Sequence, residues 1–158
     1  MSITTDIVES WRRPRVVVRR HLARGTSEAF AFSLLVTFLM LAFVAQWPGA
    51  SRVAFETGNT PVSPRLLAIA LALLATIPLW YAVAALSRLI ARMFGGRGSW
   101  YGARIALFWS LVAVTPLMLL QGLVAGLIGP SPGLTAVGVA AGAAFVVFWA
   151  LALIEVER

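Results

Sequence analysis

Cysteine is absent from the 158 residues, which excludes disulfides, thiolate metal sites and cysteine nucleophiles. Lysine is absent too, so all 13 basic residues are arginines, set against 6 acids and one histidine, His21. Asp6 is the only aspartate, and Glu9, Glu28, Glu56, Glu155 and Glu157 lie at the ends and in connections. No His/Glu spacing suits a metal, and His21 has no paired nucleophile. The glycine-rich stretch Phe94–Ser99 lacks a phosphate-loop lysine and a preceding strand, and reads as a cytoplasmic turn. The expectation is a non-enzyme without cofactor or metal. Charge of any kind is scarce: 12% of residues, against roughly 25% in a typical globular chain. With 60% hydrophobic residues, the chain belongs to the membrane class.

What is there is apolar surface. Four stretches carry no charge: Ala29–Trp47, Leu66–Leu86, Ile105–Leu127 and Leu134–Ile154. Each approaches the ~20 residues a helix needs to cross a hydrocarbon core of ~30 Å. The first starts too late and runs too long for a secretory signal, and Trp47-Pro48-Gly49 is a poor cleavage site, so a retained span is expected. The expected fold is an all-α integral membrane bundle of four transmembrane helices. Its spans lie at about 29–47, 66–94, 103–128 and 134–154. Residues 1–28 form an amphipathic basic segment before them, and 155–158 a short tail.

Arginine placement orients the bundle. The N-terminal flank, the second connection and the tail hold eleven arginines; the first connection holds Arg52 and Arg65, and the third none. Cytoplasmic loops carry the basic excess, so the expected topology is N-in and C-in. That placement, without a recognition fold, argues against nucleic acid. Trp47, Trp100, Tyr101 and Trp149 suit the interfaces, whereas Trp80 and Trp109 lie deeper and are expected to pack between helices.

The N-terminal segment reads as two short helices broken at Pro14, with Asp6 and Glu9 spaced like a cap and its reciprocal partner. Ile3, Ile7 and Trp11 share a face. The segment is expected to lie on the cytoplasmic leaflet, where Trp11, Arg12, Arg13, Arg19 and Arg20 meet anionic lipid or dock a partner. Arg88 and Arg92, four apart at the inner end of a long second helix, and Arg97 in the following turn are expected to do the same.

Packing signals lie deeper. Gly122 and Gly126, and Gly138 and Gly142, form GxxxG pairs in the outer halves of the third and fourth spans. A tight turn at Gly129–Gly133 would let these small faces meet. A homodimer through the fourth helix is the rival use. Pro78 and Pro116 are expected to kink the second and third spans, freeing carbonyls near Leu74 and Val112, with Thr76 and Thr115 placed to help satisfy them. No ionisable residue lies in the core of any proposed span, which leaves no proton relay or gating charge to name.

Several short motifs carry a resemblance. Trp11-Arg12-Arg13-Pro14 with the arginine-rich stretch and Ser27-Glu28 after it, Gln46-Trp47-Pro48, Gly95-Gly96-Arg97-Gly98-Ser99 and Pro116 together resemble short bacterial members of the Yip family. These are relatives of the eukaryotic Ypt/Rab-GTPase-interacting membrane proteins. The resemblance implies a multi-span protein concerned with membrane organisation. It departs from the family in showing four spans rather than the usual five, and in lacking an extended cytosolic N-terminal domain. Fold alone does not transfer an activity.

The expected role is a non-catalytic protein of a bacterial inner membrane that organises lipid or serves as an accessory subunit of a larger membrane complex. The alternative is a small channel or carrier for a neutral solute, built on the kinks at Pro78 and Pro116. The topology has a direct check, because the chain contains no native cysteine. Thr60→Cys should react with an impermeant maleimide added to intact cells, and Ser2→Cys only after permeabilisation; the reverse pattern would overturn N-in/C-in.

Overall fold

A computed structural model describes residues 3–58 and 60–158. Among these, all regular structure is helical. Two short helices, α1 (Ile3–Ser10) and α2 (Pro14–Ala23), form an N-terminal hairpin. They precede α3 (Glu28–Glu56), α4 (Val62–Ala75), α5 (Ile77–Met93), α6 (Trp100–Leu127) and α7 (Pro132–Glu157). Four stretches are long and apolar enough to cross a membrane: α3, α4 with α5, α6 and α7.

Local chemistry sets the starts. Ser27, Ser99 and Ser131 cap α3, α6 and α7, their hydroxyls accepting from the backbone N–H of Phe30, Gly102 and Leu134. Each satisfies a donor that the first helical turn would leave orphaned. Pro14 and Pro132 open their helices, where the missing N–H costs nothing. Gly95 and Gly129 end α5 and α6 in left-handed backbone that glycine adopts without strain.

The first span is longer than its apolar run. α3 continues through Pro48 to Glu56 instead of ending at Trp47. Lipid supplies no water to accept a broken helix end, so the helix carries on past the proline. The space Pro48 needs is left by Gly126, where an added Cβ would collide with the proline ring and backbone. The extension carries Arg52, which bonds Glu56 at 2.7 Å and reaches the Gly126 carbonyl at 3.4 Å.

Gly122 repeats this pattern against the Ala45 carbonyl. The GxxxG face of α6 therefore meets α3, not α7 as the hairpin argument anticipated. Gly138 of α7 lies against the Gln121 side chain, and Gly142 has open space where its Cβ would be. The α6–α7 turn makes the two helices neighbours, but the closest backbone approach goes to α3.

α6 is the axis of the bundle. From Tyr101 to Thr115 every residue but Arg104 is buried, whereas the C-terminal half is mostly half-buried. α3, α5, α7 and the N-terminal hairpin pack around α6. The second span stands at the edge, with only Ala84 and Ser87 buried along it, and it divides at Thr76 into α4 and α5.

The glycines separate two outcomes. Gly122→Ala should force α3 away from α6 and lower unfolding stability in detergent by about 1–3 kcal/mol, as overpacked cores do. Gly142→Ala should leave the unfolding midpoint unchanged or slightly raised. Equal effects at the two positions would refute the α3–α6 contact.

Candidate functional site

The N-terminal hairpin is the most polar part of the molecule, and it is built into the bundle. Asp6 faces α2, where Arg20 reaches it at 2.8 Å and Glu9 at 2.9 Å. The two acids thus clasp α1 to α2. The capping role expected for them does not arise, because α1 already begins at Ile3. Ser10 donates to the Asp6 carbonyl at 2.8 Å and accepts from the Trp109 indole at 2.9 Å. Asp6, Ser10 and Trp109 are each no more than 2% exposed. Val17 and Val18 are fully enclosed as well, so much of the segment's apolar surface is taken by the spans.

Trp11 marks how far the hairpin reaches. Its indole donates to the Ala113 carbonyl at 3.2 Å, and its ring meets Phe148 edge-on with centroids 5.0 Å apart. The carbonyl it uses lies beside the site where Pro116 removes a helical N–H. The adjacent orphan, the Val112 carbonyl, accepts instead from the Thr115 hydroxyl at 2.7 Å. At Pro78 the matching carbonyl, Leu74, accepts from the Thr76 N–H, while the Thr76 hydroxyl bonds Leu73 at 2.6 Å. Trp80 donates to that hydroxyl at 3.1 Å and packs on Phe38. The proline sites are closed locally, and α6 runs unbroken through Pro116.

His21 sits between Trp109 and Phe30, with ring centroids at 4.4 and 5.5 Å. Neither of its nitrogens has a hydrogen-bond partner. Burial pushes its pKa down to about 4, against the pull of the nearby Asp6 carboxylate and with the push of Arg24 and Arg20. Glu9 is held below the usual carboxylate range, first by its hydrogen bond to Arg20, and Arg20 is raised in turn by Glu9.

A second polar centre closes the end of the bundle where α7 meets the α5–α6 loop. Glu157 accepts from Arg88 at 3.1 Å and from the Gly98 N–H at 2.9 Å. Its backbone carbonyl accepts from the Arg97 N–H at 3.2 Å. Gly96, Gly98 and Gly102 leave room for Glu157 and Val156, so the glycine-rich turn wraps the end of α7. Arg19 pairs with Glu155 and Arg104 with Glu28 around the same end.

The arginines named from sequence therefore divide. Arg19, Arg20 and Arg88 are held by carboxylates. Arg12, Arg13, Arg92 and Arg97 are exposed with no side-chain partner among the described residues. Two grooves flank the second span. One, of about 330 Å³, lies between α3 and α4 and is lined by residues such as Phe32, Met40 and Leu73. The other, of about 450 Å³, lies between α5 and α7. Among the described residues no group of three His, Cys, Asp or Glu side chains could hold a metal. Sequence reasoning missed Ser10, Trp109 and Asp6 as a unit; the available signal was that two of the three acids of the basic segment, Asp6 and Glu9, sit on one short helix.

His21 provides a pH test with a definite sign. Unfolded, it titrates near 6.5, whereas folded it stays neutral down to about 4. The stability from its neutral burial is complete above about 6.5 and is lost as pH falls toward 4. The thermal midpoint in detergent should drop across that window and flatten there in His21→Phe. Identical profiles would count against the burial.

A family model described as the Yip1 domain matches residues 8–157. No curated protein and no solved structure matches the chain.

Proposed function

The chain belongs to the Yip1 domain family, and from that premise we propose a non-catalytic protein of a bacterial inner membrane that organises lipid or serves as an accessory subunit of a larger complex. Membership and the four apolar helices make it a multi-pass membrane protein with a membrane-associated role. The family is not known for enzymes.

One observation carries the finer reading. The inner half of α6 is enclosed on every side from Tyr101 to Thr115, Arg104 excepted, and both proline sites satisfy their own carbonyls. What the molecule leaves open lies on its periphery: unpaired arginines at the inner end and apolar grooves along the second span. Peripheral surface of this kind suits lipids and partner helices, which bind through shape and apolar contact. Arg12, Arg13, Arg92 and Arg97 face anionic lipid of the cytoplasmic leaflet.

The solute-path alternative rests on a hollow of about 190 Å³ lined partly by Gln46 and Gln121 near the outer end of α3 and α6. Polar lining there would suit a small neutral molecule, but it stops against the sealed inner half.

Isolation from the native membrane in mild detergent, followed by mass analysis, tests the main reading. Co-purification of a stoichiometric partner or of retained anionic lipid is expected. Recovery bare of both, with solute flux in liposomes that is abolished by Pro78→Ala/Pro116→Ala, would replace it with the transport alternative.

A further inference from the structure

We propose that the turn of the N-terminal hairpin is a recessed phosphate site, where Arg12, Arg13 and Arg15 hold the phosphate of an inner-leaflet phospholipid deeper than its normal headgroup level, against α7. The proposal rests on the membrane-spanning, lipid-organising reading above and adds a site, a ligand class and a depth.

The depth comes from two independent attachments. The ion pairs Arg104–Glu28, Arg19–Glu155 and Arg88–Glu157 gather at the inner end of the bundle. Trp11 bonds Ala113, nine positions along α6 from Arg104, and touches Phe148, seven positions along α7 from Glu155. At 1.5 Å per residue these offsets are about 13 and 10 Å toward the membrane interior. The turn that follows Trp11 is therefore held inside the level of the charged ring by two hydrogen-bonded or packed indole contacts.

That turn is where the unpaired charge sits. Arg12 and Arg13 are exposed, Arg15 is half-buried, and none of the three guanidinium groups has a hydrogen bond or ion pair among the described residues. Glu9, whose field reaches Arg13, is already paired with Arg20. Together with Pro14, Val16 and Leu151 the three arginines line a hollow of about 310 Å³. Its walls are otherwise apolar, and Leu151 lies four positions inside Glu155 on α7.

Guanidinium groups below the interface draw headgroups and water inward, and the leaflet thins locally. The only plentiful anion that can enter along a lipid-facing helix is the phosphate of the lipid itself. Guanidinium recognises it through paired N–H donors, while the apolar walls accommodate the glycerol and the first acyl carbons. Charge complementarity thus commits the hollow to a phospholipid, and the consequence is a leaflet indented beside α7.

The absence of native lysine makes the test clean. Lysines with labelled side-chain nitrogen, introduced as Arg12→Lys, Arg13→Lys and Arg15→Lys, report on these positions alone. In bilayers of phosphatidylethanolamine and phosphatidylglycerol the full chain should show their signals dephased by lipid phosphorus. A spin label near the top of the acyl chain should broaden them more than an aqueous chelate does. At Arg158→Lys the two relaxation agents should reverse in strength.

Dephasing with strong aqueous broadening would mean ordinary surface contact and would overturn the recessed site while leaving the membrane reading intact. Deep broadening without dephasing would overturn phosphate as the ligand. Dephasing by inorganic phosphate in maltoside micelles free of phospholipid would make it a general anion site, and overturn the lipid assignment. Exposure of α6 backbone signals to the chelate would instead sink the spanning reading itself. The triple variant Arg12→Gln/Arg13→Gln/Arg15→Gln should purify folded and lose retained phosphatidylglycerol relative to wild type; retention at the wild-type level would also overturn the site.

Discussion

Inside a bilayer every backbone polar group must find its partner within the protein, and α6 shows how far that demand shapes the rest. Lipid gives no hydrophobic push between helices, so association depends on close approach and on hydrogen bonds that leave nothing orphaned. Gly122 and Gly126 let α3 come near enough for Ala45 and Pro48 to occupy the space of missing side chains. Pro116 opens a gap in the ladder of α6, which Thr115 closes from within while Trp11 takes the neighbouring carbonyl from outside. Once α3 and the hairpin are seated there, α7 and α5 have only the remaining sides of α6 to cover.

Seating a charged hairpin against apolar helices is energetically demanding, since a buried charge costs more than its pairing returns unless every lone pair is met. The hairpin meets this by spending its acids on itself. Asp6 and Glu9 neutralise Arg20, Ser10 links the clasp to Trp109, and His21 stays uncharged between two aromatic rings. Arg19 finds its carboxylate on α7, whereas Arg12, Arg13 and Arg15 at the hairpin turn, and Arg92 and Arg97 at the end of α5 and in its following loop, have none among the described residues.

The loop between α5 and α6 has a packing reason for its glycine run. Gly96 and Gly98 are compact because Glu157 lies where their side chains would be, and Arg88 meets that carboxylate from α5. The C-terminus of α7 is thereby tied to the link between the second and third spans. Arg88 belongs to this latch, so the pair Arg88 and Arg92 is divided between a structural bond and an exposed cation.

The sequence by itself determined the all-helical class and the four helices long enough to cross, because these follow from the length of apolar runs and the cost of charge in hydrocarbon. It marked Gly122 and Gly126 as a face fit for close approach, because only glycine leaves room for a neighbouring backbone. That α3 runs on past Trp47 is a matter of packing, since a proline that breaks a helix in water is accommodated where a facing glycine makes room. Which helix the Gly122 face would meet, which acid each arginine would find, and that Ser10 and Trp11 would dock on the middle of α6 were decided by the tertiary structure alone. Spacing along a chain orders residues on one helix, but only the packing of helices around α6 brings together side chains that lie a hundred positions apart.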